Sequence, residues 1–344
     1  MKAFVTGSTG LLGSNLVQQL RAAGWEVRAL ARSPQKAAQI IRDPGVEIIN
    51  GDMEDVAGFA PALAGCDVLF HTAAYFRESF AFGDHWPKLE QINVQGTIQL
   101  LTAAEAAGVK KAIYVSSGGV IGATPDGRPG DETTPPDAGA LSNLYFKSKV
   151  VAEQVVAQFL KTHTLPVVLI LPSAIFGPSD TAPTNSGKLI LEYLAGKLPA
   201  IPQGGFSVVD VRDVAAMMIT AVERGRSGER YIISDRYYSI GEILKILERV
   251  TGVPAPRLPL PYPMALAYGW FAELSARMNG SEPVATVSAI RLLNTRRDVV
   301  AEKARRELGM TLRPFDQTLR DAVQWFVANG YVTGANVVAL SASA

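Results

Sequence analysis

Residues 3–24, AFVTGSTGLLGSNLVQQLRAAG, set three glycines, Gly7, Gly10 and Gly13, at a spacing of three between an apolar run and an amphipathic one. In a strand-to-helix turn the first glycine permits the tight bend. The second lets backbone approach a pyrophosphate closely, and the third lets the helix pack on the strand. The phosphates then meet the positive end of the helix and its free N–H groups. Ser8, Thr9, Leu11 and Leu12 fill the rest of the turn and join the glycines as candidate contacts to a dinucleotide. The stretch follows an apolar strand pattern and opens a helical one, which is the context such a site requires; a plain structural turn is the alternative.

Outward from this turn, short β-rich apolar runs alternate with helical patterns. Strand candidates begin at Lys2, Glu26, Val46, Asp67, Lys111, Leu165 and Glu229, and helical segments fall near 11–23, 54–64, 88–107 and 143–161. Strands that are apolar on both faces and separated by helices require a parallel sheet covered on both sides. The expected fold class is therefore α/β, a doubly wound Rossmann sheet. After Pro172 the rhythm loosens into Gly- and Pro-bearing segments and then a mostly helical final third. The expected organisation is a dinucleotide-binding domain of residues 1–172 plus 207–234 and a smaller, mainly helical substrate lobe of 173–206 plus 235–330. Residues 331–344 form a small, unpatterned tail expected to be mobile.

Composition narrows the function classes. With 33 basic and 32 acidic side chains in 344 residues, the net charge of +1 creates no global field to gather nucleic acid. The single cysteine, Cys66, excludes an internal disulfide framework, and His71, His85 and His163 are too scattered for metal-ligand spacing. Met1 runs straight into KAFVTG without the pattern of a signal peptide, so a reducing, cytoplasmic setting is expected. The most apolar later piece, YPMALAYGWFAELSARM from Tyr262, is broken by Pro263, Gly269 and Glu273 and falls short of the ~20 apolar residues that cross a bilayer. It is expected to be a buried or substrate-facing helix rather than a membrane span.

The second strand ends in ALARSP, close to where an adenosine ribose would lie. An acidic residue there would hold the 2′-hydroxyl of NAD; Arg32 and Ser33 suit the 2′-phosphate of NADP instead. Arg32 solvating a strand end is the plainer reading. Asp52, with Met53 beside it, follows the third strand and is placed to accept from an adenine amino group, or to cap a turn. In YFKSK, Tyr145 and Lys149 are four apart and project from one helical face. A lysine beside a phenol and an oxidised nicotinamide favours phenolate and lowers the tyrosine pKa, as an acid/base catalyst needs. Upstream, YVSSGGVIG puts Ser116 and Ser117 at the carboxyl end of the fifth strand, the edge where such sheets bind ligands. Ser117 can donate to a substrate oxygen opposite Tyr145; strand alternation turns Ser116 away.

These pieces resemble an extended short-chain dehydrogenase/reductase. TGSTGLLG, GDMED, HTAA at His71, NVQGT at Asn93, YVSSGGVIG, YFKSK, LPSAIFGP at Leu171 and VVDVRDVA at Val208 occur in family order over about the first 235 residues. The resemblance implies that Tyr145 is the general acid/base and that Ser117 polarises the substrate oxygen. It implies that Lys149 holds the nicotinamide ribose and tunes Tyr145, and that His71, Thr72 and Ala73 line the cofactor. It further implies that backbone from Pro172 to Ile175 brackets the nicotinamide and that Asn93 supports the active-site helix. Members acting on nucleotide-sugars carry an arginine shortly before the DVRDVA-like segment, and Phe206 stands there in this chain. With Tyr75, Phe76, Phe80, Phe82, Trp86, Tyr262, Tyr268 and Trp270, Phe206 suggests an aromatic cleft.

The segment from Pro178 to Ala215 looks like the dihydroflavonol-reductase-like branch, which includes bacterial proteins labelled hopanoid-associated sugar epimerases. The resemblance implies an NADP(H)-dependent oxidoreductase acting on a ketone, aldehyde or secondary alcohol. A nucleoside-diphosphate-sugar epimerase or dehydratase with tightly bound NAD(P) is the alternative. A non-catalytic NADP-binding sensor is a third reading, but such relatives lose the Tyr and Lys kept here. The expected partner is a small-molecule substrate; the resemblance also implies a homodimer through the helices near 88–107 and 143–161, the alternative being that those apolar faces pack on their own sheet.

Overall fold

The computed structural model describes residues 1–76, 83–279 and 286–332. Its strands are β1 Lys2–Thr6, β2 Glu26–Ala31, β3 Val46–Asn50, β4 Val68–His71, β5 Lys111–Val115, β6 Val167–Pro172, β7 Ala174–Phe176, β8 Ile201–Pro202, β9 Gly205–Asp210, β10 Arg230–Ile233, β11 Tyr237–Ser239 and β12 Pro259–Leu260. Seven of them form one parallel sheet in the order β10-β6-β5-β4-β1-β2-β3. The sequence pattern explains why: β6, VVLILP, is buried along its whole length, so both faces need a helical cover. Strand order reverses between β1 and β4, and the ends of β1, β4, β5 and β6 share the carboxyl edge where the crevice of a doubly wound sheet opens.

The first crossover gives each glycine a physical reason. Gly7 has φ +65°, and a Cβ there would lie 2.7 Å from both the Ala73 nitrogen and Thr72 Oγ1. On Gly13 a Cβ would stand 2.1 Å from the Gly7 carbonyl oxygen, so the helix Leu11–Ala22 can press on the turn only without a side chain there. Gly10 is less confined, its nearest contact being 3.3 Å away. Gly10 also provides no side-chain cap, which leaves first-turn N–H groups of the helix facing the crevice without partners from a cap.

Elsewhere the helical pattern is refined by local chemistry. The helix expected at 54–64 is a short turn, Val56–Phe59, continued by a 3-10 turn, Ala60–Leu63, where Pro61 lacks the N–H that would extend it. The helix expected at 88–107 begins at Trp86 and contains a π-helical turn, Glu90–Gln95, before Gly96–Ala106. Periodicity alone does not separate the helices Pro34–Ile40 and Val211–Arg224 from their surroundings; Ser33 and Asp210 cap them.

Two hydrophobic cores result. The first surrounds the large sheet and also takes in Val299, Ala301, Ala304, Leu308 and Met310, a stretch the sequence groups with the second lobe. The second gathers Phe176, Ile190, Val208, Ile243, Leu247, Phe315 and Phe326 from the helices Asn185–Leu194, Ile240–Thr251 and Phe315–Ala328 and the small sheet β11-β9-β7. The helix Tyr262–Asn279 corrects an expectation. Instead of being buried or facing substrate, it turns Trp270 and Phe271 to solvent and buries small residues such as Ala265 and Ala276. Phe80, Phe82 and the tail beyond residue 332 lie outside the described residues.

The turn geometry predicts unequal costs for two alanine substitutions. Gly13→Ala should lower unfolding free energy by about 2–4 kcal/mol because backbone must part, and Gly10→Ala by less than about 1 kcal/mol. Urea midpoints compare them, and equal losses would contradict the close approach of Gly13 to Gly7.

Candidate active site

Asn143 caps the helix Leu144–Thr162, its side chain accepting from the Phe146 N–H at 3.1 Å. From this start, Tyr145, Lys149 and Glu153 follow at intervals of four and share one helical face. That face lies against the end of β5. Lys149 is 2% exposed, and its Nζ donates to the Val115 carbonyl at 2.8 Å. Helix and strand are thus fastened immediately before the serine pair. Ser116 turns into the protein and donates to Glu153, whose second oxygen pairs with Arg230 Nε at 3.1 Å. Ser117, half-buried, accepts from the Gly119 N–H at 3.1 Å, which leaves its own proton to donate. A Cβ on Gly118 would stand 3.1 Å from the Pro172 carbonyl oxygen, so the end of β6 abuts this turn and Ile175 follows close by.

Burial governs the electrostatics. It pulls the Lys149 ammonium down to about 7, with the Glu153 carboxylate opposing the shift. It also pushes the Tyr145 phenol above its ordinary value. The expected lowering of Tyr145 by Lys149 is therefore not what the chain itself produces. The ammonium lies 6.0 Å from the phenol ring centroid and bonds to Val115, while Phe76 packs edge-on against that ring at 4.7 Å. Desolvation outweighs attraction at this separation.

The residues behind the pair form a continuous polar scaffold. Asn93, in the π-helical turn, accepts from the Tyr75 N–H at 2.8 Å and donates to the Tyr75 carbonyl and to Ser148 Oγ. It therefore joins the segment after β4 to the helix of Tyr145. The His71 ring is in the core, between Thr6 Oγ1 at 2.8 Å and Thr97 Oγ1 at 3.0 Å, rather than lining the crevice. Thr97 donates its proton to the Asn93 carbonyl, so it accepts from His71 Nε2–H and the Nδ1 atom accepts from Thr6. Burial, helped by Lys149, keeps this ring neutral by lowering its pKa to about 3. Thr72 and Ala73 lie against Gly7, with Thr72 Oγ1 donating to the Thr6 carbonyl at 2.6 Å.

At the far end of the sheet, Arg32 is exposed in a depression shared with Asn50, Gly51, Asp52 and Asp55, and it has no ion-pair partner among the described residues. The neighbouring groups are partly committed. Ser33 accepts from the Lys36 N–H as a helix cap, and Asp52 accepts from the Glu54 N–H. Ser8 donates to the Leu30 carbonyl, and Met53 is buried against Gly96. Leu11 and Leu12 are buried on the helix, with Thr9 partly exposed before it.

One part of the site has no signal in the sequence. The Asp137 carboxylate accepts from the Ala140 N–H at 2.7 Å, the Ala123 N–H at 3.0 Å and Arg297 Nη2 at 2.5 Å. Arg297 also reaches the Gly119 carbonyl at 3.5 Å. A residue 160 positions away thus fastens the loop after Ser117 to the segment that leads into the helix of Tyr145. The neighbouring bridge of Gly130 with Val299 reinforces it.

Two measurements follow from this geometry. Folded Lys149 sits at about 7 against 10.5 for the free side chain, so between those values the unfolded chain binds more protons and stability rises with pH. The urea midpoint should climb from about pH 7.5 to 9.5, and Lys149→Met should flatten that climb. Arg297→Ala should accelerate hydrogen exchange at Ala123 and Ala140 at least about tenfold while the amides of β1 and β5 keep their protection; a uniform change would contradict a local fastening.

Comparison with known proteins agrees with this architecture. Residues 3–234 match the NAD dependent epimerase/dehydratase family. The chain is 35% identical over 336 residues to sterol demethylase protein B of Methylococcus capsulatus, covering 96% of this chain and 100% of that protein. It is 33% identical over 346 residues to the 4-hydroxy-2-methyl-3-oxo-4-farnesyl-3,4-dihydroquinoline-1-oxide ketoreductase of Stigmatella aurantiaca, covering 94% and 96%. The crystal structure of gox2253 superposes with a TM-score of 0.83 at 34% identity, over 96% of this chain and 99% of that one. A doubly wound sheet with its glycine turn, and relatives matched over nearly their whole length, lead to one conclusion: the chain belongs to the NAD dependent epimerase/dehydratase family, the extended short-chain dehydrogenases/reductases, whose members are NAD(P)-dependent oxidoreductases and epimerases.

Proposed function

We propose that this chain is an NADP(H)-dependent reductase of an apolar ketone or aldehyde, able to run in reverse on the matching secondary alcohol, with Ser117, Tyr145 and Lys149 as its catalytic residues. The observation that carries the reading is the hydrogen bond from Lys149 Nζ to the Val115 carbonyl at 2.8 Å, because it joins the helix bearing Tyr145 to the strand end bearing Ser117.

The chain suits a dinucleotide. Gly7 and Gly13 let the turn close tightly on Thr72, Ala73 and the helix start, and the uncapped helix behind the turn offers N–H groups to a pyrophosphate. Arg32, beside Ser33 and Asp52, is the group for a 2′-phosphate. Thr72, Ala73 and the segment from Pro172 to Ile175 would flank the nicotinamide half, and Lys149 would hold its ribose. When bound, the nicotinamide supplies or accepts the hydride.

The protein's own work is positioning and proton transfer. Ser117 donates to the carbonyl oxygen and holds it toward Tyr145. Tyr145 gives its proton to that oxygen as the alcohol forms, and the Lys149 charge favours the phenolate left behind. Burial keeps the Tyr145 phenol protonated in the chain itself, so the proton that reduction consumes is in place, while the upward shift opposes its release. Support for an apolar substrate comes from Phe76 against the Tyr145 ring and from Phe206, which stacks near Phe176 where an arginine would clamp a diphosphate. Two relatives are named for a sterol and for a farnesylated ketone, chemistry of the same kind.

Tyr145→Phe should leave NADPH affinity within about threefold and cut turnover of a screened ketone by about 10²–10⁴. Surviving turnover would remove Tyr145 from the reaction. Calorimetry should show NADPH bound more tightly than NADH, with Arg32→Ala erasing the difference; equal affinities in the unmodified protein would contradict the assignment of Arg32.

A further inference from the structure

The helix Tyr262–Asn279 reverses the usual arrangement of a surface helix. Its buried positions are small, Ala265, Gly269 and Ala276, whereas Met264, Tyr268, Trp270, Phe271, Leu274 and Met278 are 41–78% exposed. A Cβ on Gly269 would lie 2.6 Å from Ile290 Cδ1, so the helix sits close on the helix Val287–Asn294 and holds its large side chains outward. Leu258, just ahead of it, is 69% exposed. Outside this region the large exposed apolar residues among those described are only Met1, Leu141 and Tyr331. The cluster exposes on the order of several hundred Å², at or beyond the ~300–600 Å² of the largest patch on an ordinary monomer.

Glu273 is the acidic residue of the helix, and it is turned inward to accept from the Val287 N–H at 2.8 Å. Among the described residues, the exposed charged side chains flanking the patch in sequence are Arg257, Arg291 and Arg296; Arg257 pairs with Glu248 at 2.7 Å and Arg296 with Asp298 at 3.5 Å, which leaves Arg291 as the cation with no ion pair among the described residues. Among the described residues, an outward row of Trp, Tyr, Phe, Leu and Met, with Arg291 exposed on the adjoining helix, matches the chemistry of a bilayer interface: apolar groups enter the headgroup boundary and a cation meets anionic phosphates. Tyr and Trp in particular carry an apolar body with a polar tip.

We propose that this helix docks the protein, without crossing, on the surface of an anionic phospholipid bilayer. No helix among the described residues is long and apolar enough to span one. The docked helix leads through Val287–Asn294 to Arg297, which touches Asp137 and Gly119 beside Ser117. The bilayer is then also the reservoir of the substrate; that part rests on the apolar-ketone reading, whereas the docking does not.

The test uses the full chain with vesicles of phosphatidylcholine containing about 30% phosphatidylglycerol, read by co-sedimentation. The unmodified protein should pellet with the vesicles, and Trp270→Ser with Phe271→Ser should weaken binding at least about tenfold while NADPH affinity and melting temperature hold. Brominated lipid should quench tryptophan emission in the unmodified protein, and Trp270→Phe should remove that quenching while binding persists. Failure of the unmodified protein to bind would overturn the proposal, as would vesicle binding that ignores the double substitution. A solution dimer that the double substitution splits, without vesicle binding, would assign the face to a second copy and equally overturn it. Because none of these readouts uses turnover, loss of the reductase reading would leave the docking result standing.

Discussion

A buried ammonium is the constraint on which the site depends. Removing a charge from water is costly unless neighbours replace its hydration, and Lys149 finds that replacement in the Val115 carbonyl and the Glu153 carboxylate. Both partners are themselves fixed, one by the ladder of β5 and the other by Ser116 and Arg230. The helix therefore has one low-energy seat on the strand end. The positions of Tyr145 and Ser117 relative to each other follow from that seat. The same charge helps keep His71 neutral, so the imidazole acts as a stable spacer between Thr6 and Thr97.

Much of this is legible because it is local or periodic. The glycine turn and the Tyr145–Lys149 pair are written in spacings of three and four, and the parallel strands in short runs that are apolar on both faces, each with a direct geometric meaning. What is illegible depends on direction or on distance along the chain. The residues of β4 announce a strand, but nothing in them says that the His71 ring faces the core. Periodicity marks the helix Tyr262–Asn279 as apolar without saying which side the protein covers. The pairing of Asp137 with Arg297 joins segments that only the finished fold brings together.

The family-like segment VVDVRDVA shows how one stretch can be distinctive for structural reasons. Asp210 caps the following helix and pairs with Arg212, which also reaches Asp321 at 2.7 Å, while Asp213 pairs with Arg313. These charges sit where the two hydrophobic cores meet, since Val208 belongs to one and Val209 to the other. Directional ion pairs fix orientation where apolar contact alone would permit sliding. The crevice between the cores thus keeps its shape through contacts remote from the serine and tyrosine.

The π-helical turn at Glu90–Gln95 has a further consequence. Such a turn holds one residue more than the α-helical turn it interrupts, so everything downstream is rotated by about 100° relative to a regular helix. Asn93 lies within it and contacts Tyr75 on one side and Ser148 on the other. Shortening the turn by a single residue would re-phase the helix, leaving its buried face and its asparagine unable to meet their partners together. The extra residue acts as a spacer that reconciles two helical registers.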